Sequence, residues 1–422
     1  MLKKKLKTKN NKLKNTLKSK VKKPVTKIKK VIKKILPKKK IIRKTKPSTI
    51  PRKTGVTLER SIQNPIISPR LYTWESRATF NPTAIELSGK VHLIYRAIGD
   101  NDVSVLGYAS SYDGYKIDER LPHLIYHRFN ETNFSNYPIG YSSGGGWGGG
   151  TEDPRATILE DRLYVLYNAF DSWSSCRVAM VSMSIDDFKN RRWHKWTNPI
   201  FLSPPGQISK AWVLFPERIN GKIAILHDIW PSVTVTYFDD FEDIETGKVK
   251  IKQQWDRWFH HMNPSHWVYI HPGTDGGRFV DPAALSKNIW LDVEKDIWVR
   301  NTGPSPIKTR EGWLILHHAM EARDPGKFKL FALLLDLKDP TRVLYRSTGP
   351  VLEPKENYES HIIYSCGAVV KSGRLFVYYG AGDQHVGVAS VRLATLIEDM
   401  KKHRISKLKS VDEKVKPKKG KK

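Results

Sequence analysis

One short pattern recurs five times along this chain, and it limits the fold more than any other feature. Asn81-Pro82 leads into AIELSGKVHLIYRA, with Tyr95 thirteen residues after the proline. Asp153-Pro154 leads into ATILEDRLYVLYNA, and Tyr167 follows its proline by the same thirteen. A third copy reads FPERINGKIAILHD around Pro216, and a fourth reads GPSPIKTREGWLILHHA around Pro304 and Pro306. The fifth, YSCGAVVKSGRLFVYYGA, carries Tyr379 near its end. Each copy is a short apolar strand, a tight turn, then an alternating apolar strand ending in an aromatic residue or histidine. Period-2 alternation bounded by turn residues predicts strands. Further strands of the GYASS (107–111), RVAMVS (177–182) and VGVAS (386–390) type follow three of the copies. Five copies of a unit of about four strands predict an all-β body, a five-bladed β-propeller, because radial repetition leaves only short, protected edges. A β-sandwich has no reason to repeat five times.

The repeats also give the charge its meaning. The chain holds 73 Lys and Arg against 42 Asp and Glu, a net charge of +31. Residues 1–58 hold 24 of the cations and no carboxylate, and residues 401–422 hold 11 against Asp412 and Glu413. The 342 residues between them carry 38 basic and 40 acidic side chains, a net of −2. A near-neutral body excludes a uniformly basic nucleic-acid-binding fold, whose charge would lie along the binding face. The expected organisation is therefore a Lys-rich segment over 1–53, the repeat-bearing body over 54–400 and a basic tail over 401–422.

Alone, the low-complexity tails are expected to be disordered, since they bury too little apolar surface to offset ordering entropy. Within the first tail, Ile28, Val31, Ile32, Ile35 and Leu36 recur at helical spacing until Pro37 stops the run. That pattern fits a cationic amphipathic helix for an anionic membrane surface or nucleic acid, and a merely solvated tail is the competing reading. Cys176 and Cys366 are the two cysteines, too few for a disulfide framework. No stretch approaches the roughly 20 apolar residues of a membrane span, and no apolar run follows the first cations as in a secretory signal. The expected location is cytoplasmic, peripheral at an anionic surface if the tail binds one.

In a propeller the inner strand of each blade begins near the central channel. Asn81-Pro82, Asp153-Pro154 and Pro216-Glu217 occupy that place in three copies and are expected to converge on one pocket. Taken alone, Asp-Pro is also a common turn signal, so Asp153 has a plain structural reading beside the functional one. The histidines His260, His261 and His266 match no standard metal spacing, and no cofactor fingerprint is present.

Longer strings resemble a known family. GGTEDPRATI (149–158), WESRATFNPTAI (74–85), SVLGYASSYDG (104–114), SPPGQISKAWVLFPERINGKIAILH (203–227), TGPSPIKTREGWLILHH (302–318), LLDLKDP (334–340) and CGAVVKSGRLFVYYGAGD (366–383) are similar to glycoside hydrolase family 130. That family contains β-mannoside phosphorylases and β-mannosidases on five-bladed propellers, and the resemblance covers about 60–395. It implies inverting cleavage of short β-mannosides, with inorganic phosphate as co-substrate, α-mannose 1-phosphate as product, and no cofactor or metal. The aspartate of the EDPR motif, here Asp153, is implied as the general acid. Such an acid must protonate the leaving oxygen while a nucleophile arrives from the other side. It works near neutral pH when its pKa is raised, and burial beside Glu152 is expected to raise it.

By the same resemblance Arg177, Lys210 and His227 match phosphate-binding positions. Asn81, Arg96, Asp100, Glu152, Asp171, Glu217, His318, Tyr379 and Asp383 are expected to hold the sugar. The glycine-rich run 144–150 around Trp147 is expected to form a rim loop. The chain departs from the family pattern at Ser209-Lys210-Ala211, where phosphorylases read Asp-Lys-Asp, and at His227-Asp228, where they read His-Arg. These departures keep an inverting β-mannosidase open beside the phosphorylase, with Glu217 or Asp228 as a second carboxylate about 6.5–9.5 Å from Asp153. A non-catalytic carbohydrate-binding propeller is the third reading. Oligomeric state stays open, a homo-oligomer included.

Overall fold

The computed structural model describes residues 55–128, 149–172, 175–206, 208–229, 233–251, 268–269, 279–280, 297–321 and 326–402. The chain divides into residues 1–52 and 53–422, and every described residue lies in the second. The N-terminal segment with its 28–36 stretch, residues 403–422, Trp147 and the His260, His261 and His266 group lie outside the described residues.

The described residues are mostly β. After β1 (Glu59–Arg60), the first repeat forms β2 (Ala78–Leu87), β3 (Lys90–Ile98), β4 (Ser104–Ser111) and β5 (Glu119–Arg120). The second forms β6 (Gly150–Leu159), β7 (Arg162–Ser172), β8 (Ser175–Ser184) and β9 (Ile200–Phe201). The third forms β10 (Val213–Leu214), β11 (Ile223–Asp228) and β12 (Thr234–Phe238), followed by the pair β13 (Val268–Tyr269) and β14 (Phe279–Val280). The fourth forms β15 (Ile297–Thr302), β16 (Ile307–Lys308), β17 (Trp313–Glu321), β18 (Lys329–Leu335) and β19 (Val343–Arg346). The fifth forms β20 (Ile363–Lys371), β21 (Arg374–Ala381) and β22 (His385–Arg392). Helices are short: α1 (Ile185–Lys189), α2 (Glu242–Glu245) and α3 (Leu393–Lys401).

Each repeat is an antiparallel meander, as the alternation predicts. The hairpins at Ser88-Gly89, Asn220-Gly221 and Ser372-Gly373 have positive φ at both turn residues. This twist suits a two-residue hairpin, and glycine carries the second position without steric cost. Ser104 and Gly150 join β4 to β6 in parallel, which merges the first two meanders into one hydrogen-bonded sheet. The fifth meander is completed by β1 on β22, with Glu59 opposite Ser390 and Arg60 opposite Ala389. No sheet of the described strands closes on itself.

Side-chain contacts rather than backbone strand ladders hold most meanders to one another, and five hydrophobic clusters supply the apolar part. One joins the first and second repeats through Ile94, Leu106, Val165 and Tyr167. The next joins the second and third through Leu166, Val178, Leu214 and Ile225. The third and fourth share Phe215, Leu226, Trp313 and Ile315, and the fourth and fifth share Leu314, Leu316, Leu375 and Val377. The fifth meets the first through Phe376, Val388, Leu93 and Tyr95.

Candidate active site

The site is built on irregularities in the first strand of successive repeats. The β2–β3 register shifts between Phe80 and Thr83, and the β6–β7 register shifts between Glu152 and Arg155. Inside these bulges Asn81 has φ 46° and Asp153 has φ 50°. The third repeat supplies Ala211 at φ 63°, just ahead of β10. Left-handed backbone is tolerated by Asn and Asp far better than by alanine, and conformations of this kind concentrate at functional sites. The place equivalent to Asn81 and Asp153 is thus held by Ala211. Pro216-Glu217 lies beyond β10, where Glu217 forms a half-exposed ion pair with Lys308 at 2.5 Å.

Asp153 is buried, and three side chains donate to its carboxylate. Asn81 Nδ2 lies 2.8 Å and Arg96 Nη1 3.2 Å from Oδ1, while Asn168 Nδ2 lies 3.2 Å from Oδ2. Arg96 also pairs with Glu152 at 3.1 Å, and Lys210 approaches Glu152 from the other side at 3.6 Å. Arg155 braces the strand from beneath. Its guanidinium donates to the carbonyls of Asp153 (2.8 Å), Gly303 (3.0 Å) and Thr302 (3.3 Å), and to the Tyr364 hydroxyl (3.3 Å). Asp383, at φ 55°, adds a carboxylate whose charge acts on Arg96. The structure therefore brings Asn81, Arg96, Glu152, Asp153, Lys210 and Asp383 together from the first, second, third and fifth repeats.

The electrostatics reverse one expectation. Burial pushes the Asp153 pKa up, but the charges of Arg96 and Arg155, the Asn81 hydrogen bond and the Lys210 charge outweigh it, and the net shift is downward. Donors and cations favour the charged form more strongly here than desolvation disfavours it. Burial likewise opposes the Lys210 charge, and Cys176, Glu152 and Asp153 together overcome it, so its pKa is raised.

Other expected residues lie elsewhere, for a common reason. Residues at the aromatic-or-His end of the second strand point away from Asp153, into the contacts between repeats. Tyr379 is buried there and donates to Glu359 at 2.8 Å. His227 sits against the Trp212 ring at 5.5 Å, with Nε2 3.1 Å from the Thr236 hydroxyl. Alternation also turns Arg177 away: its Nη2 donates to the Ser203 carbonyl at 2.6 Å and its guanidinium covers Phe201, whereas its neighbour Cys176 interacts with Asp153. His318 lies behind the site, stacked on Tyr364 at 4.1 Å. Both of its ring nitrogens are engaged, Nδ1 with Asn301 Oδ1 at 2.8 Å and Nε2 with the Ser365 N–H at 2.9 Å. Asp100 is exposed and bonded to Ser76, and Asp171 pairs with Arg128. Asp228 is buried beside His227 at 3.4 Å.

Sequence reasoning missed Asn168 and Arg155. The signal for Asn168 lay in the repeats: it follows Tyr167 as Arg96 follows Tyr95. Among the described residues no group of three or more His, Cys, Asp or Glu is placed to hold a metal ion, and no helix is long and apolar enough to cross a membrane.

Comparison with known proteins gives one consistent result. The family model of glycoside hydrolase family 130, described as beta-1,4-mannooligosaccharide phosphorylase, matches residues 43–261 and 260–402. A 1,2-beta-oligomannan phosphorylase of Thermoanaerobacter sp. (strain X514) is 30% identical over 356 residues, covering 80% of this chain and 98% of the relative. A beta-1,2-mannobiose phosphorylase of the same organism is 31% identical over 355 residues, covering 79% and 97%. The beta-1,2-mannobiose phosphorylase of Listeria innocua, solved with beta-1,2-mannobiose, shares the fold at a TM-score of 0.55 and 21% identity, covering 82% of this chain and 99% of its own. With the family model spanning nearly the whole body and relatives matching end to end, this chain belongs to glycoside hydrolase family 130.

Proposed function

We propose that this protein is an inverting phosphorylase of short β-mannosides. The observation that carries the reading is the near-complete match to relatives named as β-mannoside phosphorylases, joined to a buried carboxylate cradled where inner strands meet. In this mechanism an oxygen of hydrogen phosphate attacks the anomeric carbon as the bond to the leaving oxygen breaks. Asp153 gives its proton to that oxygen and regains one from the phosphate. The products are α-mannose 1-phosphate and the shortened glycan. Arg96 and Asn81 hold Asp153 from the first repeat, and Asp383 borders the same space. Of the three residues assigned to phosphate from sequence, Lys210 lies in this cluster, and its half-buried ammonium is the cation we assign to phosphate.

The same reading extends to the architecture. Five meanders joined in sequence by five shared cores, the last returning to the first, support a five-bladed β-propeller with Asp153 near its axis.

A second reading, an inverting β-mannosidase, is favoured by one observation: Arg177 and His227 are bonded elsewhere, and Asp228 stands where phosphorylases carry arginine. One assay separates the two. Incubation with β-1,2- and β-1,4-mannobiose should release mannose 1-phosphate only when phosphate is present. Free mannose formed equally with and without phosphate would overturn phosphorolysis and leave hydrolysis.

A further inference from the structure

Asn168 lies opposite Glu152 across the β6–β7 pair, directly before the bulge that carries Asp153. Its amide makes two hydrogen bonds, and they are of opposite kinds. Nδ2 donates to Asp153 Oδ2 at 3.2 Å, while Oδ1 accepts the backbone N–H of Ala211 at 3.0 Å. A side-chain amide reads the same in outline when its oxygen and nitrogen are exchanged, so its orientation is set by its partners. Here the partner leaves no choice, since a backbone N–H only donates. Ala211, in left-handed backbone at φ 63°, therefore obliges Asn168 to present its NH2 to Asp153.

The other amide in the cradle is not held this way. Asn81 Oδ1 is buried without a hydrogen-bond partner, and Arg96 has only donors to offer. A protonated Asp153 needs an acceptor for its own O–H. Rotation of the Asn81 amide supplies one at Oδ1 of Asp153, and rotation of Asn168 would strand the Ala211 N–H. The two oxygens of Asp153 are thereby made unequal.

We propose that Asn168, locked by the Ala211 N–H, is a positioning residue for the general acid: it holds Asp153 Oδ2 as a permanent acceptor and confines the transferable proton to Oδ1. The role rests on the phosphorylase reading, in which Asp153 must be protonated when the leaving oxygen departs. The titratable and charged groups around Asp153 come from every element packed against it: Arg96 on β3, Glu152 and Arg155 on β6, Cys176 on β8, Lys210 ahead of β10, His318 on β17, Tyr364 and Cys366 on β20, and Asp383 just after β21, whose charge acts through Arg96. None of these side chains is replaced by a change at Asn168; Asn168→Ala also frees the Ala211 N–H beside Lys210, which Asn168→Asp keeps bonded, so the two variants together separate the lost donor from a displaced Lys210.

The test is the pH profile of phosphorolysis in three full-length proteins: wild type, Asn168→Ala and Asn168→Asp. Removing a donor from a carboxylate favours its protonated form, so the alkaline limb of kcat/KM should move to higher pH by about one unit in Asn168→Ala. Asn168→Asp keeps an acceptor for the Ala211 N–H and replaces the donor by a second carboxylate, so its limb should move further in the same direction. Melting temperatures confirm that each variant is folded at the assay temperature. Variants that lose rate uniformly at every pH, with the limb in the wild-type place, would overturn the proposal and leave Asn168 a packing residue. A wild-type protein that forms no mannose 1-phosphate fails the underlying reading instead, a different result from an unmoved limb.

Discussion

Gly380 is the position where one methyl group tests the whole cradle. It follows Tyr379 on β21 and lies against the bulge of the first repeat. A Cβ built there overlaps Asn81 Oδ1 and stands 2.8 Å from the Asn81 backbone nitrogen and 3.1 Å from its Cγ. Both the backbone and the side chain of Asn81, held at φ 46°, must yield, and the 2.8 Å bond to Asp153 goes with them. A hydrogen bond to a charged group contributes about 1.5–3 kcal/mol, which corresponds to a loss of roughly 10- to 100-fold in kcat/KM if the bond is kept in the transition state. Overpacking adds about 1–3 kcal/mol of destabilisation, a fall of several degrees in Tm. The assay is steady-state phosphorolysis of mannobiose beside a thermal melt. Gly349→Ala, with open space around the new methyl, is the control and should match wild type. If Gly380→Ala acts through Asn81, then Gly380→Ala and Asn81→Ala together should cost little more than either alone. Wild-type kcat/KM in Gly380→Ala, or fully additive losses in the double variant, would show that Gly380 does not act through Asn81.

Asp153→Asn should fold and lower kcat by about 10²–10⁴-fold, the usual contribution of a general acid, as read by mannose 1-phosphate release. Buried His317, whose pKa burial pushes down to about 4, should make the protein lose stability as pH falls from about 6.5 to 4. The unfolded chain binds the proton first in that window, so the slope is up to about 1.4 kcal/mol per pH unit, and urea melts of His317→Phe should lack it. Removing residues 1–53 leaves intact the bonds from Val56 N–H to Asp399 (3.0 Å) and from Leu58 N–H to the Val351 carbonyl (2.8 Å). Turnover should persist and retention on an anionic resin or anionic vesicles should drop. A large loss of activity would show that the body begins earlier.

The repeats made the meanders and Asp153 legible because both are local patterns. The period of two predicts strands from their own residues, and the Asp-Pro step marks the bulge. What the repeats hid was the facing of each residue. Tyr95, Tyr167, His227 and Tyr379 stand out because they are large, yet size is what the contacts between repeats require, and those residues fill them. The smaller step to the next residue reaches the site, at Arg96 and Asn168. Strict alternation applied across the copies would have moved the assignment by one residue at Tyr379, to Gly380 against Asn81. Ala211 was beyond such reasoning, since what it contributes is a backbone angle and an N–H. The sign of the Asp153 shift was also out of reach, because it depends on how Arg96, Arg155 and Lys210 converge in space.

The pairing of β1 with β22 sets a timetable for the growing chain. Among the described strands the other pairings join segments near one another in sequence, and each can form as soon as it leaves the ribosome. Glu59 and Arg60 must wait for Ala389 and Ser390. Until then the edge of the first repeat that will meet the fifth, including Leu93 and Tyr95, has no apolar cover from Phe376 and Val388. Closing so long a loop costs little more entropy than closing one of half the length, since the cost grows only with its logarithm. Its cost is delay, and the nascent protein carries that apolar face without its cover until the fifth repeat has been made, which makes the face the natural first contact for a chaperone.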